Sequence, residues 1–507
     1  MSRVPGAPLL SRSGHSLSWL VTCLVSFGLL AIFGLHSSSA QARPEKDRPS
    51  AHAKKSQATD HAAQRRNDAR QIQERRAGKL RQEESSTSGR RADRGRRAAL
   101  AGGAAAAATA LPLANASNRG QVSRTSLPPS PYPASPQTGL APEARLLDIY
   151  RLIGRGQGRQ ALDHAESLVH DVPNFQLAQL VYGDLLLAQT RALPTMGQAP
   201  SDIAAKAPQR LDQLRQEAEK RLAALRERPP AGTIPSQFIT LPPTTRHAIA
   251  VDASRSRLYL FENGPKGLHL VADHYASIGK LGSDKRLEGD QRTPLGVYFI
   301  TSRLEGRQLT DFYGVGALTL NYPNEYDRRL GRTGSGIWLH GVPADSYARS
   351  PQSTDGCVVL ANPELQSIID RVQLRNTPVV IARSLQWVPP ATKEPERRSL
   401  GNLLEGWRTA RASGDINRLM AFYSAQFSNG GKDLSQWRQM IERDIQQVRG
   451  RELHLKDVSI LGWRDQGDVL VVTFGEVAEG QRTGAVKRQY WGKEGGLWKI
   501  FYEGVIG

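Results

Sequence analysis

At 507 residues the chain exceeds one ordinary domain and has room for roughly two to four. Its formal net charge of +20 suits nucleic acid, an anionic membrane surface or an anionic envelope polymer alike, so charge by itself excludes none of these partners. Of its two cysteines, Cys23 lies inside an N-terminal apolar run and Cys357 stands alone, which leaves no disulfide pair once such a leader is removed.

In chain order, Arg3 and Arg12 precede an apolar run from Leu17 to Leu35, and Ala40-Gln41-Ala42 supplies the small residues of a cleavage site. Residues 1–42 are therefore expected to be a signal peptide or a retained membrane anchor, and both place the remainder in the periplasm or cell envelope. Leu20 to Cys23 is a poor lipidation signal, because much of the apolar run follows the cysteine. Residues 43–141 read as a disordered basic linker rich in Arg, Gln, Ala, Ser and Pro, with too little apolar surface to offset chain ordering. Arg94 to Arg97 lack the interleaved aromatics that stack on bases, and with export this argues against a nucleic-acid partner.

From 142 to 228 the periodicity is helical. Leu146, Leu147, Tyr150 and Leu152 mark one amphipathic segment, Ala161, Ala165, Leu168 and Val169 a second, and Leu177, Leu180, Val181 and Leu185 a third. The result is similar to a tetratricopeptide hairpin, expected to serve packing or a homodimer contact. Residues 245–384 alternate in strand fashion and predict a β-rich domain, with a helix from Pro363 to Arg375 before a buried strand at Pro378 to Ala382. A polar linker is expected from Val388 to Arg398. Residues 399–507 then give helices followed by strands, an α+β order that resembles the cone-shaped nuclear transport factor 2-like fold, with Trp407, Phe422, Tyr423, Trp437, Trp491 and Trp498 as core or pocket lining.

The chemistry concentrates in Ile337-Trp-Leu-His340-Gly341 and Ser353-Thr-Asp-Gly356-Cys357. A lone cysteine in an exported chain invites oxidation, which favours a chemical role for it. A strand ending in His-Gly aims an imidazole at a thiol on a later loop, giving a nucleophile, Cys357, and its base, His340. Backbone N–H groups around Asp355 to Cys357 are candidate oxyanion donors. Lys280, Arg292, Ser353 and Thr354 are candidate substrate contacts, and Arg332 is a further candidate at the cleft edge. The histidines show no metal-ligand spacing, so neither a metal nor a cofactor is expected.

Together with Gly279-Lys280 and Glu288-Gly-Asp-Gln-Arg-Thr-Pro-Leu-Gly-Val-Tyr298, these segments resemble the YkuD-type L,D-transpeptidase family over about 245–382. The resemblance implies a β-sandwich-like domain in which Cys357 forms a thioester with a peptidoglycan tetrapeptide stem, His340 is the base and the Gly341 carbonyl orients it. Two positions depart from the family pattern: Asp355 precedes Gly356, and Val359 stands where an arginine is common. Asp355 reads first as a turn cap and second as an amine ligand. A catalytic domain followed by a nuclear transport factor 2-like domain resembles the branch that includes cell-shape-determining L,D-carboxypeptidases. Transpeptidase is the first expectation, carboxypeptidase the second, and a noncatalytic wall-binding scaffold the third.

Overall fold

The computed structural model describes residues 141–198, 207–448 and 450–506. The expected leader at 1–42 and the expected linker, apart from Ala141, lie outside the described residues.

Four helices open the described chain: α1 (Pro142–Gly154), α2 (Gly158–Asp171), α3 (Gln176–Ala188) and α4 (Pro208–Arg226). Proline opens α1 and α4, where its missing N–H costs no hydrogen bond. Their apolar stripes, among them Leu146, Ile149, Leu168 and Val181, close on one another and on Tyr347 and Ala361 of the following domain. The surface expected to mediate packing or dimerisation is thus covered within the chain itself. Glu143 fastens the contact, accepting from Arg257 Nη1 at 2.6 Å and the Tyr275 amide at 3.0 Å and pairing with Arg221 at 2.9 Å, all buried.

The β-rich domain is built on strands β3 (His247–Asp252), β4 (Arg257–Gly264), β5 (Gly267–Tyr275), β7 (Gly296–Glu305), β8 (Gly316–Leu320), β9 (Trp338–His340), β11 (Val358–Val359) and β12 (Pro378–Ala382), in the order β11-β9-β8-β7-β12-β3-β4-β5. Side chains alternate across the sheet. Ile249, Val251, Leu339, Val358 and Val379 face one core, closed by Leu365 and Ile368 of helix Asn362–Ile369. Ala248, Ala250, Phe261, Val297, Phe299 and Val380 face a second core, shared with Leu461, Val471, Tyr490 and Phe501 of the C-terminal domain. Burial on both faces explains why β12 is apolar at every position.

The C-terminal sheet has the order β17-β16-β15-β14-β2, from β14 (Leu453–Arg464), β15 (Asp468–Ala478), β16 (Ala485–Glu494) and β17 (Leu497–Val505). Its fifth strand, β2 (Phe238–Thr240), comes from before the β-rich domain, while β1 (Ile234–Pro235) pairs with β13 (Trp387–Val388). The other face of this sheet packs helices Glu394–Ser413, Ile416–Met420 and Leu434–Val448, burying Trp407, Tyr423 and Trp491, with Phe422, Trp437 and Trp498 partly buried against them.

Two local expectations change. Much of the expected linker at Val388 to Arg398 is helical, because Glu394 and Glu396 complement the helix N-terminus and pair with Arg397 and Lys393. The helix expected to reach Arg375 stops at Ile369, and Arg375, at φ 65°, turns the chain so that its N–H meets Ile300 O at 2.6 Å on the way into β12.

Candidate active site

His340 ends β9, and Cys357 immediately precedes β11, which runs parallel to it with Val358 opposite Leu339 and Val359 opposite His340. Leu339, Val358 and Leu360 face the inner core. By the two-residue alternation of a strand, Trp338, His340 and Cys357 therefore emerge together on the opposite face. Val359 stands opposite His340 and Cys357 lies two residues before it, so the thiol and the imidazole are diagonal neighbours. The Leu360 amide donates to His340 O at 3.0 Å and fixes this register.

The imidazole is held in one orientation. Its Nδ1 donates to Gly341 O at 2.8 Å, which leaves Nε2 as the basic nitrogen. Phe312 and Tyr313 flank it at ring-centroid distances of 5.8 and 5.0 Å. Burial, and after it the Arg349 guanidinium, hold the imidazole down to about 3 against the opposing Gly341 hydrogen bond, so it is neutral near pH 7. Asn362 supports the bend that follows: its Oδ1 accepts from the Val342 and Val315 amides at 3.1 and 3.2 Å, and its Nδ2 donates to Val342 O at 2.9 Å. Gly341 is required here, since a Cβ would lie 2.1 Å from Asn362 Oδ1. Neither Asn362 nor Arg349 was visible in the sequence as a site residue, because their spacing to the motif belongs to no local pattern.

The thiol is half-buried, and Cys357 Sγ donates to Gly336 O at 3.5 Å. Its loop is capped by Thr354, whose Oγ1 accepts from the Gly356 amide at 3.1 Å and donates to Cys357 O at 2.7 Å. This corrects three expectations. Thr354 is buried and bonded within the loop instead of meeting substrate; the turn cap is Thr354, not Asp355; and the Gly356 N–H is already engaged and not available to an oxyanion in this arrangement. Gly356 itself is at φ 127°, and a Cβ there would lie 2.7 Å from Arg292 O. Asp355 is exposed and accepts from Lys280 Nζ at 3.3 Å and Gln291 Nε2 at 3.0 Å, tying the cysteine loop to the facing one. Arg292 donates to Ser283 O at 3.1 Å and Ser353 to Ser350 O at 3.0 Å, so both serve loop structure. Arg332 is buried between Asp327 and Asp465 and links the β-rich and C-terminal domains.

The upstream motif is a scaffold for that facing loop. Strand β6 (Ile278–Gly279) pairs in parallel with β10 (Gln352–Thr354), setting Lys280 beside Asp355. The Gly279 amide donates to buried Thr293 Oγ1 at 2.9 Å, and a Cβ on Gly279 would lie 2.4 Å from Gln291 O. Asp290 accepts from Lys285 Nζ at 2.7 Å and from the Arg286, Leu287 and Arg292 amides. Among the described residues no cluster of three His, Cys, Asp or Glu side chains suits a metal ion.

Residues 246–381 match the family model of the YkuD L,D-transpeptidase catalytic domain, and residues 399–504 match that of the Cds6 C-terminal NTF2-like domain. No curated protein matches the chain. Among solved structures, Bd1075 of Bdellovibrio bacteriovorus is 29% identical, covering 54% of this chain and 98% of its own, with a TM-score of 0.47. The helical cell shape determining protein Pgp2 of Campylobacter jejuni is 20% identical, covering 54% and 94%, with a TM-score of 0.42. An L,D-transpeptidase from Mycobacterium smegmatis is 14% identical, covering 27% and 58%, with a TM-score of 0.18. The chain therefore carries a YkuD-type L,D-transpeptidase catalytic domain joined to a C-terminal NTF2-like domain.

Proposed function

We propose that this protein is a cysteine-dependent peptidoglycan L,D-transpeptidase. The observation that carries the reading is the parallel pairing of β9 with β11, which sets the Cys357 turn beside His340, with the imidazole tautomer fixed by Gly341 O at 2.8 Å. Cys357 Sγ attacks the carbonyl at the L-centre of meso-diaminopimelate in a tetrapeptide stem. His340 Nε2 takes the thiol proton and returns it to the departing D-alanine amine as the C–N bond breaks and a C–S bond forms. An amine of a second stem then attacks the thioester, forms the crosslink and restores the thiol.

A second reading is L,D-carboxypeptidase, in which water resolves the same thioester and leaves a tripeptide. The order of a YkuD domain followed by an NTF2-like domain, which resembles the branch that includes cell-shape-determining L,D-carboxypeptidases, favours it. A noncatalytic scaffold accounts less well for the oriented imidazole or for the glycine forced at 356. Neither reading calls for a metal or cofactor. We place the enzyme in the periplasm or cell envelope, exported or tethered through residues 1–42, with peptidoglycan stems and no nucleic acid as partners. The helical segment braces the catalytic domain in this account and is not assigned a dimer contact, since its stripes pack within the chain.

The test supplies purified tetrapeptide muropeptides and reads products by mass spectrometry. Crosslinked dimers support transfer; tripeptide with free D-alanine and no dimer supports hydrolysis. Unchanged turnover by Cys357→Ala overturns both.

A further inference from the structure

Arg349 does more than hold the His340 imidazole neutral, since its guanidinium lies against the ring that flanks that histidine. The Cys357 thiol, the Asp355 carboxylate and the Tyr313 phenol all act on it electrostatically, and it acts on His340 in turn. Its Cζ stacks over the Phe312 ring at 4.1 Å, the same ring that flanks His340 at 5.8 Å. Its backbone is clamped independently of the side chain, with Arg349 O accepting from Tyr275 Oη and Ser277 Oγ at 2.9 Å each. Ser277 in turn exchanges backbone hydrogen bonds with Val359, two residues past the thiol.

The cation is positioned but incompletely satisfied. A guanidinium offers five donors. Among the described residues its side chain makes one hydrogen bond, Nη2 to Phe312 O at 3.4 Å, and no ion pair. Asp355, the carboxylate acting on it, is bonded to Lys280 and Gln291. Burial lowers the Arg349 pKa, the cost of keeping a charge partly out of water without a close counter-ion. Such a fork suits a planar carboxylate, which it binds through two parallel hydrogen bonds, and the Phe312 face limits how far it swings.

We propose that Arg349 anchors the free C-terminal carboxylate of the donor peptide and so makes the enzyme select donors that end one residue beyond the attacked carbonyl. The inference rests on the reading of Cys357 as the group acylated by the stem peptide. One residue spans at most about 3.6 Å, so a cation stacked on the ring that flanks His340 suits the terminal carboxylate of the residue that directly follows the attacked carbonyl.

The test separates binding from chemistry. In a Cys357→Ala background, calorimetry compares a tetrapeptide stem with the same peptide carrying a C-terminal carboxamide. The acid is expected to bind about 10–100-fold more tightly, as a charge-assisted hydrogen-bonded pair contributes. Adding Arg349→Met should weaken the acid by that factor, leave the amide within about twofold and bring their ratio near one, while Arg349→Lys restores part of the preference. Equal weakening of both peptides, or no acid preference before the arginine is changed, overturns the proposal. Turnover by the Cys357 enzyme is scored apart: a chain that shows the Arg349-dependent preference but cleaves neither peptide supports the anchor and sinks the acyl-transfer reading.

Discussion

Replacing Glu143 with Gln tests how the helical segment is held. The carboxylate lies between Arg257 and Arg221 and accepts the Tyr275 amide, with side chains 8%, 2% and 1% exposed for Glu143, Arg257 and Arg221. Burial alone would raise its pKa, yet the two arginines and the amide outweigh burial and hold it at about 2 instead of 4.5. That difference corresponds to about 3 kcal/mol. Breaking one partner of a buried ion pair costs roughly 3–5 kcal/mol, and the low end applies because Arg257 keeps Asp273 and Arg221 keeps Glu217. At roughly 2 °C per kcal/mol for a large cooperative body, differential scanning calorimetry at pH 7 should show Glu143→Gln melting about 6 °C lower. The folded pKa is depressed, so the stabilisation is complete above 4.5 and is lost as pH falls through about 2. The gap between the two proteins should therefore narrow towards pH 2. A change under about 1 kcal/mol at pH 7, or a gap independent of pH, would refute the reasoning.

Other outcomes follow from the same geometry. Asn362→Ala removes the acceptor of two backbone amides beside Gly341, so kcat should fall about 10–100-fold with KM nearly unchanged in steady-state assays. Gly356→Ala forces a left-handed residue and a Cβ against Arg292 O; thermal melts should show a loss of about 1–3 kcal/mol with activity abolished. His340 is depressed from 6.5 to about 3, so the unfolded chain binds the extra proton between those values. Stability due to this residue is present above 6.5 and lost as pH falls towards 3, by up to about 1.4 kcal/mol per pH unit, which denaturant midpoints of wild type and His340→Gln will compare.

The candidate site was legible because its pattern is local: a strand ending in His-Gly and a Gly-Cys turn each stand out in adjacent residues. The upstream motif was visible but its work was not. Thr293, Asp290 and Gly279 shape the facing loop through hydrogen bonds among residues 279–293, and the parallel pairing of β6 with β10 sets that loop beside the cysteine loop. Arg349 and Asn362 lie close to Cys357 in the chain, but in connections where no periodicity marks their side chains as site groups. Strand β2 was missed for a similar reason: three residues, Phe238 to Thr240, are too few to show alternation, and they become a strand only because β14 has an open edge. Thr354 misled because a hydroxyl beside a nucleophile reads as a substrate contact, whereas burial turns it inward to cap the loop.

Intact-protein mass spectrometry after brief mixing with a tetrapeptide stem and acid quench tests the central proposal most directly. Covalent transfer through the sulfur predicts an adduct heavier by the tripeptide acyl group, mapped by digestion to the peptide containing Cys357, slower to form in His340→Gln and missing from Cys357→Ala. Products released with no adduct at any mixing time, or an adduct on another residue, would contradict it.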